Sequence, residues 1–207
     1  MPSPITLRAA TSEDCPAIAE LLVQLYAAEL PGALSGPLAT QRSLLKYTLQ
    51  TDSHRGLRGR YLALDSQGTI VGAAAVRLPD TPPVNRAPAG TLRLAFALLG
   101  FRHALHLVGT LARTMVLPSP PLPPQHAYIH GVVVDAAQRG HGWGEQIMLE
   151  LEARLREQGI AGVQLQVVVS NAGARRLYQR LGYQVSGRSP RWLDQVTFAT
   201  ETMHKQL

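Results

Sequence analysis

Cysteine is almost absent from this sequence: Cys15 is the only one in 207 residues. A lone thiol excludes an intramolecular disulfide and any zinc site built from several cysteines. The residues after Met1 show no basic segment followed by an apolar core, so no secretory signal is predicted. We therefore expect a cytoplasmic protein, and we expect no metal.

Acidic residues are also scarce. The sequence has fourteen Asp and Glu but twenty Lys and Arg, which gives a net charge of +6. Such a balance suits an anionic partner, which could be nucleic acid, a membrane surface or a phosphorylated cofactor. Eighteen of the cations are arginines, and they form no run longer than a pair. A nucleic-acid-binding tail would cluster them, so no nucleic-acid partner is expected.

Long uninterrupted apolar runs are missing too. The most apolar stretch, Leu92 to Leu117, is interrupted by Arg93, Arg102 and Arg113 before it reaches the roughly 18 clean residues that a membrane span needs. We therefore expect no membrane span. The surrounding segment 79–124 holds nine of the fifteen prolines at its two ends, which predicts an insertion of one or two amphipathic helices. It could be a lid, a dimer contact, a membrane-surface helix or a plain packing helix.

The length fits one soluble domain over residues 1–207, because a domain usually takes about 100 to 200 residues. The 45% hydrophobic content agrees with a globular protein. In residues 1–78 the apolar spacing alternates between that of strands and that of helices. The predicted elements there are a strand at Ile5–Arg8, a helix from Thr11 to about Glu29, a helix at about 40–49, a basic loop at Arg55–Arg60 and a hairpin over 61–78.

From His126 onward the pattern is a regular strand-helix-strand-helix unit. Strands are predicted at 126–134 and 163–169, helices at about 142–158 and 172–181, and further strands at the end. Two strands joined by a helix lie parallel in one sheet. Ligands of such sheets bind outside the carboxyl ends of the strands.

A glycine-rich segment, Arg139-Gly140-His141-Gly142-Trp143-Gly144, follows the first of these strands and begins the next helix. Alternate glycines let the backbone turn tightly with its N–H groups free, and the helix N-terminus adds partial positive charge. Arg139 adds a forked pair of donors. The segment therefore suits a diphosphate, although it has neither the G-x-G-x-x-G spacing nor the P-loop lysine of nucleotide-binding motifs.

The remaining motifs follow in order along the second half of the chain. They are Val132-x-Val134, Arg139-x-x-Gly142-x-Gly144, Asn171, Leu177-Tyr178 and Leu181-Gly182-Tyr183. Together they resemble the GNAT superfamily of acetyl-CoA-dependent N-acetyltransferases over about residues 126–183. The resemblance implies an α/β fold with a mixed, twisted sheet of about six or seven strands flanked by helices. The helical insertion at 79–124 departs from the family pattern and precedes the central strand.

The resemblance also implies acetyl-CoA as acyl donor, lying between two parallel strands that separate. Backbone groups of Val132, Val133 and Val134 would pair with its pantetheine and acetyl groups. The pyrophosphate would be held by Arg139, Gly140, His141, Gly142, Trp143 and Gly144. Asn171 matches a side-chain contact to the cofactor arm, and Tyr178 matches the tyrosine that protonates the departing thiolate. A phenol with a pKa near 10 can serve such a thiolate, although taken alone Tyr178 is typical of a buried helix aromatic.

The acceptor amine must also lose a proton. Some family members carry a glutamate five residues before the asparagine, but this position is Gln166, which cannot accept a proton. His126, Tyr128 and His130 alternate along the first strand and are predicted to share one face. Histidine titrates near neutrality, and His130 resembles a strand histidine of arylalkylamine acetyltransferases, so we predict that His130 is the base, directly or through water.

The acceptor class stays open at this point. A peptide N-terminus, a lysine side chain, a polyamine, an aminoglycoside or an arylalkylamine would each fit direct transfer of an acetyl group to a primary amine. The basic surface argues against a polycationic acceptor. An alternative function is a non-catalytic CoA-binding sensor or interaction protein, in which Gln166 marks a lost base. The apolar stretch Leu92–Leu117 predicts a homodimer.

Overall fold

The computed structural model describes residues 5–29, 34–82, 87–115, 122–195 and 198–207. Within these ranges seven strands form one mixed sheet in the order β1-β2-β3-β4-β5-β7-β6. The strands are β1 (Thr6–Ala9), β2 (Arg60–Leu64), β3 (Ile70–Arg77), β4 (His126–Val134), β5 (Gly162–Val168), β6 (Gln184–Arg188) and β7 (Thr200–Gln206). The helices are α1 (Cys15–Glu29), α2 (Leu38–Thr51), α3 (Ser53–Gly56), α4 (Thr91–Met115), α5 (Trp143–Glu157) and α6 (Ala172–Arg180).

The first half of the chain folds largely as its periodicity predicts. The carboxylate of Asp14 accepts a hydrogen bond from the backbone N–H of Thr11 at 2.8 Å, which fixes the turn that leads into α1. One exception concerns the predicted basic loop. Residues 53–56 form the short helix α3, and Arg60 is already the first residue of β2, where it pairs with Ala75. The reason is tertiary, because β2 lies between β1 and β3 and both neighbours supply hydrogen bonds.

Helices cover the two faces of the sheet. On the face that we call the α5 face, strand residues pack against the apolar side of α5; they include Ala63, Ala74, Ala127, Ile129 and Leu165 against Ile147, Met148 and Leu151. On the opposite face, called the α1 face, Leu62, Ala73 and Val133 pack against α1 and α2. Both clusters are fully buried, so the central strands have apolar contacts on both sides.

The insertion contains two helical halves rather than one straight helix. Gly100 interrupts α4 with φ 75° and ψ 166°, a conformation that glycine adopts without strain. Ala95, Leu99, Ala104 and Leu107 pack with Leu44 of α2 in a separate apolar cluster, as a packing helix would. The proline-rich ends at 83–86 and 116–121 lie outside the described residues.

The opposite side of α4 carries exposed apolar residues, among them Phe101 and Leu105. By length and composition the stretch Thr91–Ala112 could cross a membrane, which is weak evidence by itself, and the break at Gly100 divides it. The homodimer through this surface stays a prediction.

The two parallel strands of the sheet separate halfway along their length. β4 pairs with β5 from His126 opposite Gly162 to Ile129 opposite Leu165, and the pairing ends there. Beyond this point β5 continues beside β7 and β4 continues beside β3. A gap therefore begins next to His130, bordered by the last five residues of β4.

A buried ion pair joins α5 to the last strand. The side chain of Glu152 is fully buried, and its carboxylate accepts a hydrogen bond from Nζ of Lys205 at 2.5 Å. Arg156 approaches the same carboxylate to 3.7 Å from a position that is half exposed. Lys205 is therefore the main partner of a charge that water cannot reach.

We expect Lys205→Met to lower the free energy of unfolding by about 3 kcal/mol, because it leaves a buried carboxylate without its close cation. Urea denaturation measures the loss. The matched control is Arg42→Met, which removes an ion pair with Glu20 at the surface and should cost less than about 1 kcal/mol. Equal losses in the two variants would contradict this account of the buried pair.

Candidate active site

A β-bulge in β4 lies where the gap begins. The register of β4 against β3 shifts by one residue between His130, opposite Ala75, and Val133, opposite Ala73. Gly131 lies inside this shift with φ +59°, in the left-handed region that favours glycine. As a result Ile129 faces α5, whereas Val133 faces α1. The bulge turns the backbone of β4 at the point where β5 departs.

Polar side chains of β4 stack on the α1 face before the bulge. The rings of Tyr128 and His130 lie 5.8 Å apart and nearly parallel, at 22°, so these two residues share one face as predicted. The Tyr128 hydroxyl donates a hydrogen bond to Oε1 of Gln166 on β5, at 3.3 Å. His126 lies at the other end of the strand, where its ring contacts the backbone at Gly162.

His130 lies where the gap between β4 and β5 begins. Its side chain is exposed to solvent, yet protein crowds the ring. Desolvation, followed by the charges of Arg60 and Arg77, lowers the pKa of His130 to about 4. The imidazole is therefore neutral at pH 7, so it can accept a proton, but it is a weak base.

Glu29, the last residue of α1, is a polar residue of this region for which the sequence predicts no role. It is half-buried, and in the described residues its carboxylate has no ion-pair or hydrogen-bond partner. Desolvation raises the pKa of Glu29 to about 7. Its charge helps to raise the pKa values of Tyr128 and Tyr178, so the carboxylate interacts electrostatically with both phenols. No motif marks it in the sequence, because it ends an ordinary amphipathic helix.

Tyr178 projects from α6 and is buried, with 7% of its surface exposed. Its ring lies 5.8 Å from that of Tyr183. Desolvation raises its pKa above the usual value, and the neighbouring Glu29 and Tyr128 raise it further. The hydroxyl is therefore protonated at neutral pH, and it makes no hydrogen bond within the described part of the chain. The Tyr178 hydroxyl is therefore a proton donor that has no acceptor among the described residues.

The glycine-rich segment forms an open loop before α5. Gly140 and Gly142 have φ +86° and +79°, and a Cβ at either position would meet open space. Gly142 caps α5, where the N–H of Glu145 donates to the carbonyl oxygen of Gly142 at 3.1 Å, while the N–H groups of Trp143 and Gly144 have no partner inside the helix. Gly144 does not face open space, because a Cβ there would lie 3.3 Å from the side chain of Leu177 on α6. The backbone at Gly140 and Gly142 therefore lies at an open part of the protein surface.

Side chains around this loop differ in exposure. Arg139 is exposed, and its Nε donates to the carbonyl oxygen of Val134 at 3.4 Å. His141 is exposed, and Trp143 is half-buried against the α5 face. Asn171 begins α6, where its Oδ1 accepts a hydrogen bond from the N–H of Ala174 at 3.2 Å. Asn171 therefore already has a structural role in the unliganded chain.

The structure places part of the predicted set, on β4 and in the glycine-rich loop, around one gap. Val133 and Val134 pair with β3 only and Val132 lies within the bulge, so the edge of this segment toward β5 has no neighbouring strand. His130 lies at the start of the gap and the glycine-rich loop lies just beyond its end. Among the described residues no group of three or more His, Cys, Asp or Glu could hold a metal ion.

Known proteins share parts of this sequence. A 62-residue stretch is 40% identical to mycothiol acetyltransferase from Brachybacterium faecium and covers 30% of this chain and 19% of that protein. A 72-residue stretch is 38% identical to an L-methionine sulfoximine/L-methionine sulfone acetyltransferase from Pseudomonas paraeruginosa, covering 31% of this chain and 42% of that protein. The chain therefore spans less than half the length of the curated relatives it matches.

The fold is also known. It is similar to that of an acetyltransferase from Salmonella typhimurium solved with its cofactor acetyl-CoA, with a TM-score of 0.53 and 16% identity over 99% of this chain and 95% of that one. The model of the acetyltransferase (GNAT) family matches residues 20–183, which is most of the chain. The protein therefore belongs to the GNAT family of acetyltransferases.

Proposed function

We propose that this enzyme transfers an acetyl group from acetyl-CoA to the primary amine of a small molecule by direct attack within a ternary complex. The observation that carries the proposal is the gap between β4 and β5, which begins beside His130 and leads to the glycine-rich loop. Two relatives are named for small molecules, mycothiol and L-methionine sulfoximine, which supports a small acceptor over a peptide. The proposal keeps the cytoplasmic location predicted from the sequence.

The residues present fit acetyl-CoA. Unpaired backbone groups of Val132, Val133 and Val134 would hydrogen-bond to the pantetheine arm, as a neighbouring strand would. Free N–H groups of Gly140, His141, Gly142, Trp143 and Gly144 would hold the pyrophosphate at the helix N-terminus, and Arg139 would add a charged donor. Asn171 would contact the cofactor arm with its amide while its oxygen caps α6. When bound, acetyl-CoA supplies an acetyl group on a good leaving thiolate.

The chemistry requires two proton movements. The amine nitrogen forms a bond to the acetyl carbon as the bond from carbon to sulfur breaks. Tyr178 would give its proton to the departing sulfur, for which its protonated, unpaired hydroxyl is suited. Backbone N–H groups near the bulge at Gly131 would stabilise the negative charge that develops on the acetyl oxygen.

The amine must give up the other proton. We propose that it leaves by way of His130 and water and is accepted by Glu29. With a pKa of about 4, His130 is neutral and can line the path, but it holds a proton poorly. Glu29, with a pKa of about 7, is the stronger base, and it is half ionised at neutral pH.

We expect Tyr178→Phe to lower kcat about 100-fold, because general acids typically contribute about that factor or more. The rate of CoA thiol release against a panel of amines, corrected for hydrolysis, measures the effect. The Kd of acetyl-CoA should stay within about twofold, since the hydroxyl acts on the leaving group. Tyr183→Phe is the matched control, and an unchanged rate in Tyr178→Phe would remove that residue from the role of acid.

Arg139→Met should raise the Kd of acetyl-CoA about tenfold, because it removes a charged hydrogen-bond donor from the pyrophosphate. Isothermal titration calorimetry measures this directly. Arg93→Met, on the exposed surface of α4, removes the same charge far from the loop and should leave the Kd unchanged. If both variants weaken binding equally, general positive charge and not this loop attracts the cofactor.

The rate should depend on pH through Glu29. A base must be deprotonated to act, so kcat is low below its pKa and rises to a plateau above it. We expect kcat to rise with a midpoint near pH 7 in the wild type, as the pKa of Glu29 requires, and we expect no such rise in Glu29→Gln. His130→Gln should lower the plateau value of kcat but keep the rise near pH 7. A midpoint near pH 4 that only His130→Gln abolishes would make His130 the base instead.

A further inference from the structure

We propose that the acceptor carries a carboxylate close to its reactive amine, and that Arg60 binds this carboxylate. The chemical class is therefore an amino acid or a similar amino carboxylate. This inference rests on the acetyl transfer proposed above, and it adds the substrate class to the same site. It stands on the placement of Arg60, on its missing partner and on the charges that surround it.

Arg60 is held firmly at the start of β2. The preceding Gly59 has φ +66°, and a Cβ there would lie 2.0 Å from the carbonyl oxygen of Val76, so only glycine fits. Its own carbonyl accepts a hydrogen bond from the N–H of Val76 at 2.7 Å. This close approach fixes the backbone next to Arg60 and with it the origin of the side chain.

The guanidinium of Arg60 lacks a partner for its charge. Its Nε donates to the carbonyl oxygen of Gly56 at 3.3 Å, whereas Nη1 is buried and has no hydrogen-bond partner in the described ranges. No carboxylate of the described chain forms an ion pair with it. Burial lowers its pKa, but a guanidinium stays charged at neutral pH. Arg60 as a whole is half-buried, but a guanidinium nitrogen buried without a partner is costly unless a ligand supplies the acceptor.

The free end of this side chain lies beside the bulge. Arg60, Ala75 and His130 are opposite one another on three adjacent strands, so all three occupy the α1 face. Ala75 offers only a methyl group, which leaves space for the arginine to extend across β3. A Cβ at Gly131 would lie 3.7 Å from Nη1 of Arg60. The unpaired donor is therefore next to the point where β4 and β5 separate, which is where the proposed acceptor amine must enter.

A second cation strengthens the preference for an anion. Arg77 lies on the same face, with its guanidinium 5.3 Å from the ring centre of Tyr128, and it has no ion pair with any described residue. The positive charges of both arginines lower the pKa of His130. Glu29 is the acid of this region and is paired with neither arginine. A guanidinium edge matches the two oxygens of a carboxylate, so a carboxylate is the fitting anion.

The first test compares acceptors that differ only in the carboxylate. Free L-amino acids and their amides are assayed by CoA thiol release with the wild-type chain. We expect kcat/KM to favour the free acids about 10- to 100-fold, the range of a hydrogen bond to a charged group. Preference for the amides would overturn the carboxylate site while leaving acetyl transfer intact.

Variants then assign the preference to Arg60. Arg60→Met should abolish the preference with KM rising more than kcat falls, and Arg60→Lys should restore part of it. Arg58→Met, two residues away and exposed, is the matched control and should keep the wild-type preference. An unchanged preference in Arg60→Met with wild-type binding of acetyl-CoA would overturn the proposal. If Arg60→Met does not fold, Arg60→Lys decides: a preference smaller than that of the wild type supports the proposal, and the full wild-type preference overturns it.

A binding measurement separates this proposal from the proposed function. The same amino acids and amides are titrated by calorimetry into the chain saturated with CoA, where no transfer can occur. Binding of the acids that depends on Arg60, without turnover in the assay, would support the carboxylate site and contradict acetyl transfer. Turnover of simple amines with no binding of the acids would support acetyl transfer and overturn the carboxylate site.

Discussion

Beyond Ile129 the strand β4 has a neighbour on one side only, although it lies in the middle of the sheet. Backbone N–H and carbonyl groups need partners when they are removed from water, so this edge must meet water or a ligand that behaves as a strand. Helices pack against the sheet on both of its faces beside this gap. His130 lies where this separation begins, and the glycine-rich loop follows directly after the unpaired segment of β4.

Much of the architecture could be predicted because it depends on local spacing. Consecutive residues show the apolar periodicity of α1, α5 and α6 and the alternation of β4. The structure confirms these elements. The glycine-rich loop could be recognised for the same reason, since a turn and a helix start need particular residues at fixed positions. The roles of its residues, and of Asn171 and Tyr178, remain proposals.

Other features depend on contacts between distant parts of the chain and were not predicted. The sequence predicts a basic loop that includes Arg60, whereas pairing with Ala75 of β3 makes it the first residue of β2. Glu29 has an ordinary position at the end of a helix, and its raised pKa results from burial that only the assembled fold provides. The kink at Gly100 and the bulge at Gly131 each depend on one backbone conformation that glycine permits but does not require.

The central claim is that acetyl-CoA occupies the gap between β4 and β5. Hydrogen exchange of the backbone amides, measured with and without acetyl-CoA, tests it most directly. The account predicts slower exchange at residues 130–134 and 139–145 when acetyl-CoA is bound, and unchanged exchange in α4. Protection confined to α4, or no protection despite saturation of the chain, would contradict it.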